Sequence, residues 1–239
     1  MRCKASERRR ELKRARAAGI PPSRIVFSGV GKTREEMRLG LEEGIHQFNV
    51  ESAAEVEVLS DVASLLGKTA KIAVRVNPDV AAGGHPNIST GKAGDKFGVP
   101  WEAADALYAR IAELDGVEAV GVDVHIGSQI DAIAPMRAAF ERVVTLVRRL
   151  REAGHAITRL DLGGGLRIPY KPGDDLPPPS EYANMIRQVT EGLGVEVILE
   201  PGRVIAGNAG VLIAEALFTK PAPKRTFLIV DAGMNDLMR

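Results

Sequence analysis

Six short, β-rich apolar runs, each followed by an amphipathic helical pattern, restrict this chain to few folds. The runs are Ile25–Ser28, Gln47–Val50, Lys71–Asn77, Ala119–Ile126, Arg159–Leu162 and Val195–Leu199. Several are dominated by valine and isoleucine, as expected of parallel strands covered on both faces. Thr33 with Glu36, and Ser52 with Glu55, carry capping-box signatures ahead of helices. Pro100 precedes a helix with Ala104, Leu107 and Ile111 on one face. Met136, Phe140, Val143, Val147 and Leu150 form the clearest helical stripe, with Gly154 as its stop. Strands alternating with helices imply βαβ units and a parallel sheet.

The distinctive residues sit where the runs end. Ser28-Gly29-Val30-Gly31-Lys32, Asn49-Val50-Glu51-Ser52, Arg75-Val76-Asn77-Pro78, His125-Ile126-Gly127-Ser128-Gln129, Gly163-Gly164-Gly165 and Glu200-Pro201-Gly202-Arg203 all follow strands. An open sheet concentrates its site at one switch point, whereas a barrel distributes it over many strand ends. The expected fold is therefore α/β, an incomplete (β/α)8 TIM-like barrel with about six of its eight units. Beyond Arg203, Val211–Phe218 and Thr226–Val230 read as strands joined by Lys220-Pro221-Ala222-Pro223-Lys224, the start of a β domain. The expected organisation is a basic N-terminal segment with a helix remnant over 1–24, the partial barrel over 25–207, and the β domain from 208 to 239.

Composition narrows the function. A formal net charge of +1 over 239 residues argues against a general nucleic-acid or membrane-surface binder. The basic cluster from Arg2 to Arg16 reads as a solvated terminus, with a targeting or nucleic-acid tail as the alternative. Cys3 is the only cysteine, so no intrachain disulfide forms and a reducing, cytoplasmic location is expected.

Three successive glycines, Gly163 to Gly165, expose backbone N–H groups to a phosphate, or else form a flexible turn. They match neither a P-loop nor a dinucleotide fingerprint. Glu200 ends the next strand, and Gly202 and Arg203 come after it. Arg203 suits a carboxylate or phosphate, or a surface ion pair. His125 suits stacking on a planar ligand or proton transfer, or a structural role. Ser128 adds a hydroxyl. Together these residues point to one flat, phosphorylated cofactor, and pyridoxal 5'-phosphate fits.

These segments, with Phe48-Asn49-Val50-Glu51-Ser52, Lys96-Phe97-Gly98 and the run Asp231 to Arg239, resemble those of the diaminopimelate decarboxylase family. The resemblance covers roughly Glu11 to Arg239 in the family's order. It implies the alanine-racemase-like barrel of fold-type III pyridoxal-phosphate enzymes. It also implies that His125 stacks on the pyridine ring and that Glu200 faces the ring nitrogen. Ser128, Gly163, Gly164, Gly165, Pro201, Gly202 and Arg203 would hold the cofactor, with Arg203 and Arg239 binding substrate carboxylates. The implied reaction converts meso-diaminopimelate, a small-molecule amino-acid substrate, to L-lysine and carbon dioxide in a homodimer. Ornithine, arginine and carboxynorspermidine decarboxylases are relatives, but Gln129 and the Gly-Met-Asn-Asp run are closer to the diaminopimelate branch.

The family's Schiff-base lysine lies on the first barrel strand in a Tyr-x-Val-Lys-Ala-Asn-like run. Lys4-Ala5-Ser6 is only a faint echo of it, too near Glu11 to leave room for a crossover of roughly a dozen residues. The expectation is a chain truncated at both ends that lacks this lysine, is inactive alone, and exposes two aggregation-prone edge strands. A single-barrel cofactor-carrying protein is a more distant alternative, disfavoured by the β domain.

Overall fold

A computed structural model describes residues 6–80 and 97–237. Lys4, Lys96 and Arg239, to which the sequence draws attention, lie outside the described residues. The described residues fall into two units, 1–203 and 204–239.

In the first unit, helix α1 (Ser6–Ala17) precedes five βα repeats and a final strand: β1 (Val26–Phe27), α2 (Arg34–Glu43), β2 (Gln47–Val50), α3 (Ala53–Leu65), β3 (Ala70–Asn77), α4 (Ala104–Ala112), β5 (Val117–Asp123), α5 (Ile133–Glu152), β6 (Arg159–Asp161), α6 (Pro179–Thr190) and β7 (Glu196–Ile198). A two-residue strand β4 (Val99–Pro100), not anticipated from the sequence, pairs beside the end of β3. The remaining strands run parallel in the order β1-β2-β3-β5-β6-β7. This sequential parallel sheet is curled into a half-barrel, with helices forming the crossovers. All six expected strands are present.

Local signals explain the helix starts. At α2 the Thr33 hydroxyl accepts the Glu36 N–H (3.2 Å) while the Glu36 carboxylate accepts the Thr33 N–H (2.9 Å), a complete capping box. At α3 only half of the box forms. Ser52 Oγ accepts the Glu55 N–H (3.2 Å), but the Glu55 carboxylate binds the Glu51 N–H and Lys32 instead. In α5 the stripe Met136, Phe140, Val143, Val147 and Leu150 is buried, each large side chain contributing about 1.5–3 kcal/mol of transfer energy. Gly154 follows that helix with φ +93°, a conformation glycine adopts without a Cβ penalty.

Side chains alternate along a strand, so odd and even positions face opposite sides. Phe48, Val50, Ile72, Val74, Val122 and Leu160 form the apolar face and are buried. The intervening positions Gln47, Asn49, Arg75, Asp123 and Asp161 are polar and share the other face, where Asn49 bonds to Asp161 and Arg75 to the His125 carbonyl across the sheet. The sheet is therefore not apolar on both faces, as the Val/Ile-rich runs suggested.

In the second unit, β8 (Ala216–Ala222) and β9 (Arg225–Val230) form an antiparallel hairpin. The connection is tighter than the sequence suggested. Lys220 to Ala222 belong to β8, so only Pro223 and Lys224 turn the chain, and Val211 to Glu215 precede the strand. Among the described residues, no helix is long and apolar enough to cross a membrane.

Candidate active site

The polar groups converge at the carboxyl ends of the strands. His125 follows β5, the glycine loop follows β6, and Glu200 follows β7. The Glu200 N–H donates to the Gly163 carbonyl (2.7 Å), and the Gly164 N–H donates to His125 Nδ1 (3.2 Å). The residues 127–130 close the other side, with the Ile130 N–H donating to the Gly165 carbonyl (2.9 Å). Ser128 sits in that loop. His125, Ser128, Gly163, Gly164, Gly165 and Glu200 are thus brought together. Gly202 and the exposed Arg203 open the five-residue helix α7 (Gly202–Ala206).

The glycines serve close approach more than amide exposure. A Cβ on Gly164 would lie 2.1 Å from the Glu200 carbonyl oxygen. On Gly165 it would meet the Gly127 carbonyl at 2.2 Å, and on Gly163 the Val124 carbonyl at 2.6 Å. Two of the loop's amides have internal acceptors, since the Gly163 N–H donates to Asp161 Oδ1 (3.0 Å) and that of Gly164 to His125. The N–H of Gly202 donates to the Glu200 carbonyl (2.9 Å).

Burial and the Arg75 guanidinium push the His125 imidazole down to about 4, so it is neutral at pH 7. With Nδ1 accepting from Gly164, the ring proton resides on Nε2. Arg75 pairs with Glu51 (3.3 Å), donates to the His125 carbonyl (3.4 Å) and lies 5.0 Å over the Phe97 ring. Glu51 Oε2 also accepts the Gly98 N–H (3.1 Å).

Asp123, Asp161 and Glu200 all titrate above the usual carboxylate range. Burial is the main cause for each, and Asp161 raises both Asp123 and Glu200. Asp123 Oδ1 is buried without a hydrogen-bond partner among the described residues. A carboxyl with a raised pKa keeps, in the folded chain, a proton that the unfolded chain releases near pH 4. Its stability contribution is full below that pH and is lost as pH rises through the folded value. Asp123→Asn is accordingly expected to stabilise the chain at pH 8 by about 1 kcal/mol and much less at pH 4. Melting temperatures at the two pH values check this, and an equal shift at both would overturn it.

Sequence reasoning named Arg75 and Asp161 only within motifs and gave no role to Asn49 or Ser28. Their signal was polarity at alternate positions of an apolar run. Lys32 is the buried lysine among the described residues. Its ammonium is held by the carbonyls of Gly29 (2.9 Å) and Asn49 (2.5 Å) and by Glu55 Oε1 (2.5 Å). With its donors engaged and its charge paired, Lys32 is not a substitute Schiff-base lysine.

The pyridoxal-binding domain of pyridoxal-dependent decarboxylases matches residues 5–207. Diaminopimelate decarboxylases from Zymomonas mobilis and Aquifex aeolicus are 50% and 49% identical to this chain, over 96% of its length. The chain spans 55% and 54% of those relatives. The crystal structure of diaminopimelate decarboxylase from Helicobacter pylori, complexed with L-lysine, has a TM-score of 0.91 at 38% identity, covering 96% of this chain and 57% of that one. An arginine decarboxylase from a Chlorella virus, 24% identical with a TM-score of 0.74, shares the fold.

The residues fit the cofactor this family takes. Among the described residues, the buried Asp123 and Asp161 and the half-buried Glu200 share the influence of the Arg75 guanidinium, so a ligand bringing a protonated ring nitrogen relieves the repulsion among the carboxyls. The glycine loop leaves no volume for side chains between the ends of β5, β6 and β7. The chain belongs to the pyridoxal-dependent decarboxylases and carries the family's pyridoxal-binding domain.

Proposed function

We propose that the chain supplies the cofactor-binding domain of a diaminopimelate decarboxylase, an enzyme converting meso-2,6-diaminopimelate to L-lysine and carbon dioxide with pyridoxal phosphate. The observation that carries this reading is the meeting of Glu200, His125 and the Gly163–Gly165 loop at adjacent strand ends. The similarity to diaminopimelate decarboxylases supports the substrate.

The bound cofactor supplies an electron-accepting ring that takes up the charge left when carbon dioxide departs. Glu200 would accept a hydrogen bond from the ring nitrogen and so favour its protonated form. The neutral His125 imidazole, oriented by the Gly164 N–H, packs against the ring without adding a competing positive charge. Ser128, the glycine loop, Pro201, Gly202 and the Arg203 backbone would hold the phosphate. Arg203 and Arg239 pair with substrate carboxylates. The whole protein is a cytoplasmic homodimer in this reading.

In this reading the 239-residue chain alone binds the cofactor without decarboxylating, because Lys32, the buried lysine among the described residues, is committed to three oxygens. The expected result is binding of pyridoxal phosphate to the purified chain, seen in its visible absorbance and by equilibrium dialysis. Glu200→Ala is expected to weaken that binding about tenfold. No carbon dioxide is released from diaminopimelate by this chain. Failure to bind the cofactor would sink the site assignment, and robust carbon dioxide release would sink the non-decarboxylating reading.

A further inference from the structure

A partly buried hydrogen-bond chain joins the carboxylate of Glu200 to the glycine loop through Ser28, Asn49 and Asp161. Its centre is Asn49, at the end of β2 and 1% exposed. Both hydrogens of its amide are used. One is donated to Ser28 Oγ (3.0 Å) and the other to Asp161 Oδ2 (3.0 Å). The Asn49 oxygen accepts from Gln47 Nε2 (2.8 Å), so the carboxamide has one orientation. A flipped amide would set its oxygen against the Asp161 carboxyl and its nitrogen against the Gln47 amide.

This orientation sets the direction of the bonds on either side. Ser28 receives the Asn49 proton on its oxygen and donates its own to Glu200 Oε1 (3.0 Å). On the other arm, Asp161 accepts from Asn49 on Oδ2 and from the Gly163 N–H on Oδ1 (3.0 Å). Ser28 and Glu200 are 172 residues apart, at the ends of the first and last strands of the sheet.

We propose that Asn49 and Ser28 are positioning residues that hold Glu200 as a hydrogen-bond acceptor and couple it to the glycine loop. The proposal rests on the cofactor reading above for its consequence, and on the hydrogen-bond geometry for its existence. Ser28 occupies Oε1 of Glu200, which leaves Oε2 for the ring nitrogen. Asn49 spans both arms, so its loss loosens the nitrogen-facing carboxylate and the phosphate loop together. Loss of Ser28 loosens the first arm only.

Two readouts test this, one without cofactor. In the cofactor-free chain, the side-chain carboxyl carbon of Glu200 is followed by NMR across a pH titration. A donor that favours the charged form is lost in Ser28→Ala, so Glu200 titrates at higher pH than in the parent chain. Ser28→Thr, which keeps the hydroxyl, restores the parent curve. In the second readout, ring-15N-labelled pyridoxal phosphate reports protonation of its nitrogen. Ser28→Ala moves the signal toward the unprotonated position and weakens binding about fivefold. Asn49→Ala weakens it further, because both arms are released.

The outcomes are separable. A parent chain that does not bind pyridoxal phosphate overturns the cofactor reading, while the Glu200 titration still decides the relay. An unchanged Glu200 titration in Ser28→Ala, or failure of Ser28→Thr to restore it, overturns the relay even if the cofactor binds.

Discussion

Gly164→Ala is expected to cost about 3 kcal/mol of stability and to lower the melting temperature by roughly 10 °C. The backbone conformation is not the cause, since Gly164 is not among the glycines with positive φ. The cause is steric. The new methyl would sit 2.1 Å from the Glu200 carbonyl oxygen and 3.0 Å from its carbon, and that oxygen belongs to rigid backbone. Glu200 cannot retreat freely, because its N–H is bonded to the Gly163 carbonyl (2.7 Å). Separating the two strand ends also strains the Gly164 bond to His125. Cofactor binding should fall more than stability does, since the groups proposed to hold ring and phosphate are displaced together. Gly173→Ala provides a control, because φ is +90° there but nothing lies within 4 Å of the added carbon. It should cost only about 1 kcal/mol. Thermal melts and equilibrium dialysis of both variants decide the matter. A loss at Gly164 no larger than that at Gly173 would mean that the approach to Glu200 is relieved by small backbone shifts and does not govern the loop.

Lys32→Met should be the other large loss, about 3–5 kcal/mol. The Lys32 side chain is fully buried, and the Glu55 side chain is 9% exposed. Removing the ammonium leaves Glu55 charged in a poorly hydrated place and strips a donor from the carbonyls of Gly29 and Asn49. Those carbonyls belong to the segment after β1 and to β2 itself, so the loss reaches the strand ends that carry Ser28 and Asn49. Adding Glu55→Gln removes the stranded charge and should recover part of the stability. The Gln side chain keeps an oxygen for the Glu51 N–H, which Glu55 now binds at 2.9 Å. Chemical denaturation of the single and double variants checks this. A double variant no more stable than Lys32→Met would show that the charge is not what is being felt.

Much of the architecture could be read from the sequence, and the reason is visible in particular residues. The strands were found because their outward positions, such as Phe48, Val50, Val74 and Val122, are packed under helices and must be apolar. Thr33-x-x-Glu36 located the start of α2 because both halves of its box form locally. Ser52-x-x-Glu55 carried the same signature, but Glu55 was drawn away by Lys32, a partner 23 residues distant. The short β4 escaped notice because two residues carry no period. Glu200, His125 and the glycine loop were legible as chemistry at strand ends. The Gln47–Asn49–Ser28 chain was not, because its members become neighbours only when the sheet curls. The role of the glycines was also only half legible. Backbone crowding from Gly127, Val124 and Glu200 is long-range, and it explains three glycines better than amide exposure does.

The sequential strand order has a consequence for how the chain acquires its structure. Each strand from β1 to β7 finds its partner one crossover away, so pairing can advance as the polypeptide emerges during synthesis. The bonds from Ser28 to Glu200 and from His46 to Glu196 close loops of 172 and 150 residues, and can form only when β7 arrives. The acidic pocket is thus the last part of this unit to be assembled. A nascent chain stopped before β7 could already bring Asn49 to Ser28 and Asp161, yet would leave the Ser28 hydroxyl without the carboxylate it donates to and the Gly163 carbonyl without the Glu200 N–H.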